Sequence, residues 1–211
     1  GDDRLDWGDV DIRYVLEVYD TADVATDNTN ATPVKDRQVI IKDSYEPVIF
    51  DVRLVPNREY RFVVFADFVA EGSATLSTDD QLTVKGIRHE IGNTLADIKV
   101  INEAINDEAG DAYFAIKDHT VNDATPQNMV LKRPYGKLRV IATDLADLNL
   151  NLNPESVTVE YESFNPNTFN AVTGTISGEY ATKKFSTEFV EEVRDNMGRH
   201  FYNAGYDAKT Y

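Results

Sequence analysis

No cysteine occurs in the 211 residues. That removes disulfides, thiolate zinc sites, iron–sulfur clusters and a cysteine nucleophile together. A secreted chain of this kind must be held by its core alone. Basic residues are also scarce, with 21 Lys+Arg against 37 Asp+Glu and a net charge of -16. Such a surface repels phosphate backbones and anionic membranes, so nucleic-acid binding is excluded, and the acids read as a solvated, solubilising surface. No apolar run approaches the roughly 20 residues that span a bilayer. No signal peptide opens the chain, yet its first residue is Gly1 rather than Met. The start therefore reads as a processed or engineered end, with any export or lipid-anchoring signal already removed. Nucleophile-elbow, P-loop and dinucleotide fingerprints are missing as well. The three histidines, His89, His119 and His200, lie far apart. They are expected as exposed loop or helix-end residues, with no catalytic or metal role.

What is present is strand patterning over a chain that is 42% hydrophobic. Residues 9–20 alternate, with Val10, Ile12, Tyr14, Leu16 and Val18 on one face and Asp9, Asp11, Arg13 and Glu17 on the other. That predicts a half-buried strand. Residues 37–42 predict a short strand after an Asp/Asn/Thr-rich loop. Val48, Phe50, Val52 and Leu54 predict a strand that turns at Pro56-Asn57 into a second arm at 60–69, forming a hairpin. That arm is apolar on both faces and should be central. A further strand is expected at 81–87, a short helix or irregular crossover within 93–110, and a strand at 111–118. Residues 129–144 extend through Pro134-Tyr135-Gly136, a combination that suits an edge, a bulge or a crossing between sheets. Strands are expected at 157–162 and 171–176, joined through Asn165-Pro166-Asn167, and a helix at 188–201. Short strands about 10 residues apart indicate an all-β sandwich or Greek-key architecture with one or two short helices. The division predicted is 1–128 for a first sandwich and 129–211 for a second, incomplete one.

Oxygen-rich loops are the strongest residual chemical signal. Asp20, Asp23, Asp27, Asn28 and Asn30 cluster in one, and Asn106, Asp107, Glu108 and Asp111 in another. Calcium takes six to eight oxygen ligands, but neither loop has EF-hand spacing, so solvated loops are expected and no metal or cofactor. With 37 acids, a pair of carboxylates at glycosidase spacing would arise trivially and carries no weight. Trp7 would serve a carbohydrate platform or plug one end of a sandwich, and packing is the expectation.

An ordered series of segments resembles fimbrillin-like surface lipoproteins of Bacteroidales: IRYVLEVYD at 12–20, FDVRLVPNREYRFVVFADF at 50–68, DEAGDAYFA at 107–115, VLKRPYGKLRV at 130–140 and FNAVTG at 169–174. The resemblance implies tandem transthyretin-like sandwiches and export as a lipoprotein. It also implies proteolytic trimming at the cell surface and a non-catalytic, structural or adhesive role in a fimbrium. Partners would be other subunits, joined by strand exchange, and a host or bacterial surface ligand. An incoming strand would gain backbone hydrogen bonds at an open edge. Residues 10–18, whose removal would expose a groove, and 204–211 are the candidate exchanging segments. The lipidated cysteine of such a precursor is absent from this sequence. A carbohydrate- or host-ligand-binding module is the rival reading.

Overall fold

A computed structural model of the chain describes residues 9–26, 31–101, 108–136, 140–142, 156–188, 190–192 and 201–204. The chain is predominantly β, as its alternation predicts. The first sheet is built from β1 (Val10–Asp20), β2 (Gln38–Lys42), β3 (Arg58–Ala70) and β6 (Ala112–Val121), in the order β2-β1-β3-β6. All its pairs are antiparallel, with Val15 opposite Phe65 and Phe65 opposite Phe114. A short helix α1 (Thr21–Thr26) follows β1 directly.

Apolar side chains on both faces make β3 central, as expected. β1 departs from its half-buried reading, because every residue from Val10 to Tyr19 is buried. Its even-numbered face, Val10, Ile12 and Tyr14, packs against Val48, Phe50 and Leu131. Its odd-numbered face, which includes Asp11, Arg13 and Glu17, turns inward toward a second sheet. A polar face is buried there because each charge finds a partner inside the sandwich.

The second sheet has the order β10-β9-β5-β4, from β4 (His89–Ile91), β5 (Ile98–Val100), β9 (Phe164–Asn170) and β10 (Thr175–Tyr180). Leu95, Ile98, Phe169, Ala171 and Val172 meet Val15, Val63, Phe65 and Phe114 in one core. The Phe114 and Phe169 rings meet edge-on at 4.9 Å and 78°, a favoured aromatic geometry. The boundary expected near Asn128 therefore divides residues that share one sheet and one core. Ile98 pairs with Phe169 across it.

Strands β8 (Ser156–Tyr161) and β11 (Lys183–Glu188) continue the β9–β10 pair outward. Tyr161 faces Lys183, Phe164 faces Tyr180, and the Ala181 N–H donates to the Ser163 carbonyl between them. Residues 156–188 are thus one long hairpin whose tip enters the first core. The turn expected at Asn165-Pro166-Asn167 is instead part of β9, with Pro166 opposite Gly178 at a register shift. The true turn is 171–174. Asn170 Oδ1 accepts the N–H groups of Val172 and Thr173, and Gly174 takes φ 71°. An Asx-type turn and a left-handed glycine outrank the Asn-Pro signal. A Cβ on Gly178 would overlap the Asn165 carbonyl and the Pro166 Cα, so only glycine fits where β10 passes β9.

The predicted hairpin of 48–55 with 60–69 is half right. Asn57 turns the chain at φ 60°, and its N–H donates to the Val121 carbonyl. The arm 48–55, however, joins no ladder, because β1 and β6 already occupy the two edges of β3. It lies over the outer face of the first sheet, with Val48, Phe50, Val52 and Leu54 inward. Met129 and Leu131 cover the same face. Sheet one is therefore packed on both sides, which explains why β1 and β3 tolerate no polar outer face.

Elsewhere propensity lost to local chemistry. The strand expected at 81–87 is reduced to a single bridge from Gly86 to Val69, because a helical turn, α2 (Thr78–Gln81), runs on into turns at Thr83 and Val84. Ser77 caps it by accepting the Asp80 N–H while its hydroxyl donates to Asp80 Oδ2, a reciprocal cap. Within 93–110 the crossover holds β5 and a short 3-10 turn at Glu108–Gly110. Where a helix was expected at 188–201, the described residues are strands. β12 (Val190–Glu192) pairs with β13 (Phe201–Ala204), which pairs with β7 (Val140–Ala142).

Candidate functional site

The inward polar face of β1 is the chemical feature of the sandwich. Arg13 grips Asp67 on β3 with two parallel bonds, Nε to Oδ1 and Nη2 to Oδ2, both 2.8 Å. Its Nη1 donates to the Val84 carbonyl at 2.5 Å. Asp67 is wholly buried, and Arg13 is 5% exposed. His89 Nδ1 stands 4.0 Å from Asp67 Oδ2, and its ring meets Phe65 edge-on at 5.8 Å. Burial pushes the Asp67 carboxyl above the ordinary carboxylate range, against the lowering effect of Arg13.

This cluster fastens β1 and β3 to residues 84–89, which carry the chain from one sheet to the other. Gly86 is pressed so closely there that a Cβ would overlap Asp67 Oδ2 and the His89 carbonyl. Gly86→Ala is accordingly expected to cost about 1–3 kcal/mol by overpacking, read as a lower denaturant midpoint with an unchanged slope.

Glu17 forms the second buried anchor. Its Oε1 accepts Arg37 Nε at 2.8 Å, its Oε2 accepts the Leu95 N–H at 2.7 Å, and the Tyr19 hydroxyl donates to Oε2. Burial and the Glu17 charge push the Tyr19 phenol far up, so it stays protonated. Arg37 also donates to the Gly92 and Asn93 carbonyls. Glu17 thus ties β1 to the turn before β5. Asp11 does the same for the turn after β3, accepting the Ala74 N–H at 2.7 Å. Arg61 holds Asp118 at 2.7 and 2.8 Å and reaches the Val172 carbonyl at 3.3 Å, fixing the hairpin tip. That pairing lowers the Asp118 carboxyl. These carboxylates are engaged by backbone and arginine donors, an arrangement that fixes the strands and turns to one another.

The sequence candidates scatter. His89 is buried at 1% rather than exposed in a loop, because its ring fills the core beside Phe65. His119 lies on β6 opposite Tyr60 and is half-buried. His200 and Trp7 fall outside the described residues. Of the first acidic loop, Asp20 accepts the Ala22 N–H and pairs with Arg58, Asp23 is exposed on α1, and Asp27, Asn28 and Asn30 are outside. Of the second, Asn106 and Asp107 are outside, and Glu108 opens the 3-10 turn. Asp111 is buried and accepts Arg133 Nη2 at 2.7 Å, with the Tyr135 hydroxyl 3.1 Å from its Oδ1. Among the described residues, no three His, Asp or Glu converge as metal ligands. No described helix is long and apolar enough to cross a membrane.

The remaining features lie at strand edges. β2 and β6 bound the first sheet, and β4 and β10 the second. All six residues of β10 are exposed. Tyr180 is 86% exposed, with its ring 5.2 Å from that of Phe164. Val130 and Ile49, on the outer covering segments, are 89% and 81% exposed. Sequence reasoning missed the buried charges, whose alternation with apolar residues is the same signal that a solvent-facing strand gives.

Over residues 2–202 the chain matches the family of unknown function DUF6562, and it belongs to that family. No curated protein and no solved structure matches it.

Proposed function

We propose that this chain is a structural and adhesive subunit of a bacterial cell-surface fimbrium, assembling by β-strand complementation. The observation that carries the reading is where the unused interaction capacity lies. The polar groups of the interior are engaged in holding sheets together, whereas β10 and the unladdered segment 48–55 present strand backbone at the surface. Such edges are templates for another strand. The resemblance to fimbrillin-like lipoproteins supplies the rest: export, lipid anchoring, an outer-membrane location and other subunits as partners.

Incubating the full-length chain with itself after surface-type trimming is expected to give ladders that survive detergent without boiling. Monomers under every trimming condition would overturn the proposal. One observation favours the rival reading of a carbohydrate- or host-ligand-binding module. Tyr180 offers an exposed ring beside Phe164, with the Glu179–Lys183 pair at 3.4 Å next to it. Tyr180→Ala would abolish glycan-array binding in that case and leave ladder formation intact.

A further inference from the structure

Burial alternates strictly along residues 48–55, with even positions half-buried and odd positions exposed. That is the signature of extended backbone. In such backbone the N–H and C=O of one residue point to one edge, and those of the next residue to the other. On the odd-numbered edge two carbonyls are taken. Asp51 O accepts Gln38 Nε2 at 3.0 Å, and Val55 O accepts the Tyr60 hydroxyl at 3.4 Å. On the even-numbered edge, the backbone groups of Phe50, Val52 and Leu54 have no hydrogen-bond partner among the described residues. One edge is used by the chain itself, and the other is open.

The sequence of this open strand is complementary to itself. When two copies run antiparallel with Val52 facing Val52, Asp51 faces Arg53, Phe50 faces Leu54, and Ile49 faces Val55. Asp51 and Arg53 are both exposed, and neither makes an ion pair among the described residues. Ile49 and Val55 are 81% and 57% exposed. Sliding the register by two residues either way sets Asp51 against Asp51 or Arg53 against Arg53, so the charges select one alignment. Opposite charges placed directly across a strand pair are favourable, and like charges are not.

We infer that residues 48–55 form a two-fold antiparallel strand pair with the same residues of a second copy. The contact is isologous, with each copy presenting the same patch. The strand needs little ordering to do this, because Val48, Phe50, Val52 and Leu54 already hold it on the first sheet. A low ordering cost favours association. The pair closes at two chains, so it is a lateral contact distinct from the head-to-tail strand exchange of a fibre, and it stands without that reading. Each copy carries a net charge of -16, whose repulsion is screened over about 8 Å at physiological ionic strength.

Sedimentation equilibrium of the full chain at that ionic strength, taken to millimolar concentration, is expected to show a monomer–dimer equilibrium. Asp51→Arg and Arg53→Asp each place two like-charge contacts across the axis and should raise Kd by roughly tenfold. The double variant D51R/R53D recreates both opposite-charge contacts and should recover wild-type dimerisation. Because these 211 residues include no cysteine, mixing Ile49→Cys chains with Val55→Cys chains should give an oxidised heterodimer. Circular dichroism of each variant reports that the fold is kept. A wild-type chain that remains monomeric throughout would overturn the inference. So would single variants that dimerise unchanged, or a double variant that fails to recover.

Discussion

Arg13→Met is expected to destabilise the fold by about 3–5 kcal/mol, because it leaves a wholly buried carboxylate without its counter-charge. Asp67 has no exposed surface and takes both its charge-assisted bonds from Arg13. Burial already raises its carboxyl, and Arg13 is the group that lowers it. In the variant the carboxyl rises further. A carboxyl whose folded pKa lies above its unfolded value penalises the fold when ionised, and the penalty is relieved as pH falls through the folded pKa. The loss should therefore be largest at neutral and higher pH and should shrink on acidification. The double variant Arg13→Met/Asp67→Leu removes both charges and is expected to regain most of the loss, since well-packed apolar replacements of buried pairs are tolerated. Urea unfolding of the three proteins across pH checks both parts. A flat pH profile for Arg13→Met would contradict the placement of the carboxylate.

The second large effect concerns the hairpin 156–188. Phe169→Ala is expected to cost about 3–5 kcal/mol, as for other buried phenylalanines. Phe169 is 2% exposed, meets Phe114 from the first sheet and pairs with Ile98 on β5. Because the tip belongs to the shared core, the damage should not stay within the hairpin. Amide exchange in β1 and β3 should accelerate along with that in β9 and β10, and one unfolding transition should report all four strands. If only residues 156–188 opened while β1 and β3 kept their protection, the shared core would be refuted.

The β character of the chain, the centrality of β3 and the turn at Asn57 were legible from alternation and turn chemistry alone. β1 shows where that method stops. A period of two places Asp11, Arg13 and Glu17 on one face but does not say what covers it. Only the arrival of Val84, Ala74 and Leu95, distant in sequence, makes that face interior. The hairpin tip was obscured for a related reason. Asn165-Pro166-Asn167 is a strong local turn signal, yet Pro166 sits at a register shift where Gly178 gives it room. The Asn170 side chain and Gly174 set the turn instead. Segment 48–55 carries a strand's pattern and lacks a strand's ladder, because alternation reports which face is buried and not whether an edge is paired.

Strand edges, rather than a pocket, are the proposed working parts of this protein. Amide hydrogen exchange compared between the isolated chain and its detergent-resistant assembly tests that claim most directly. New protection is expected along the open edges, in β10 or in 48–55, with the buried β1–β3 ladder unchanged. An assembly in which every such edge exchanges as fast as in the isolated chain would contradict it.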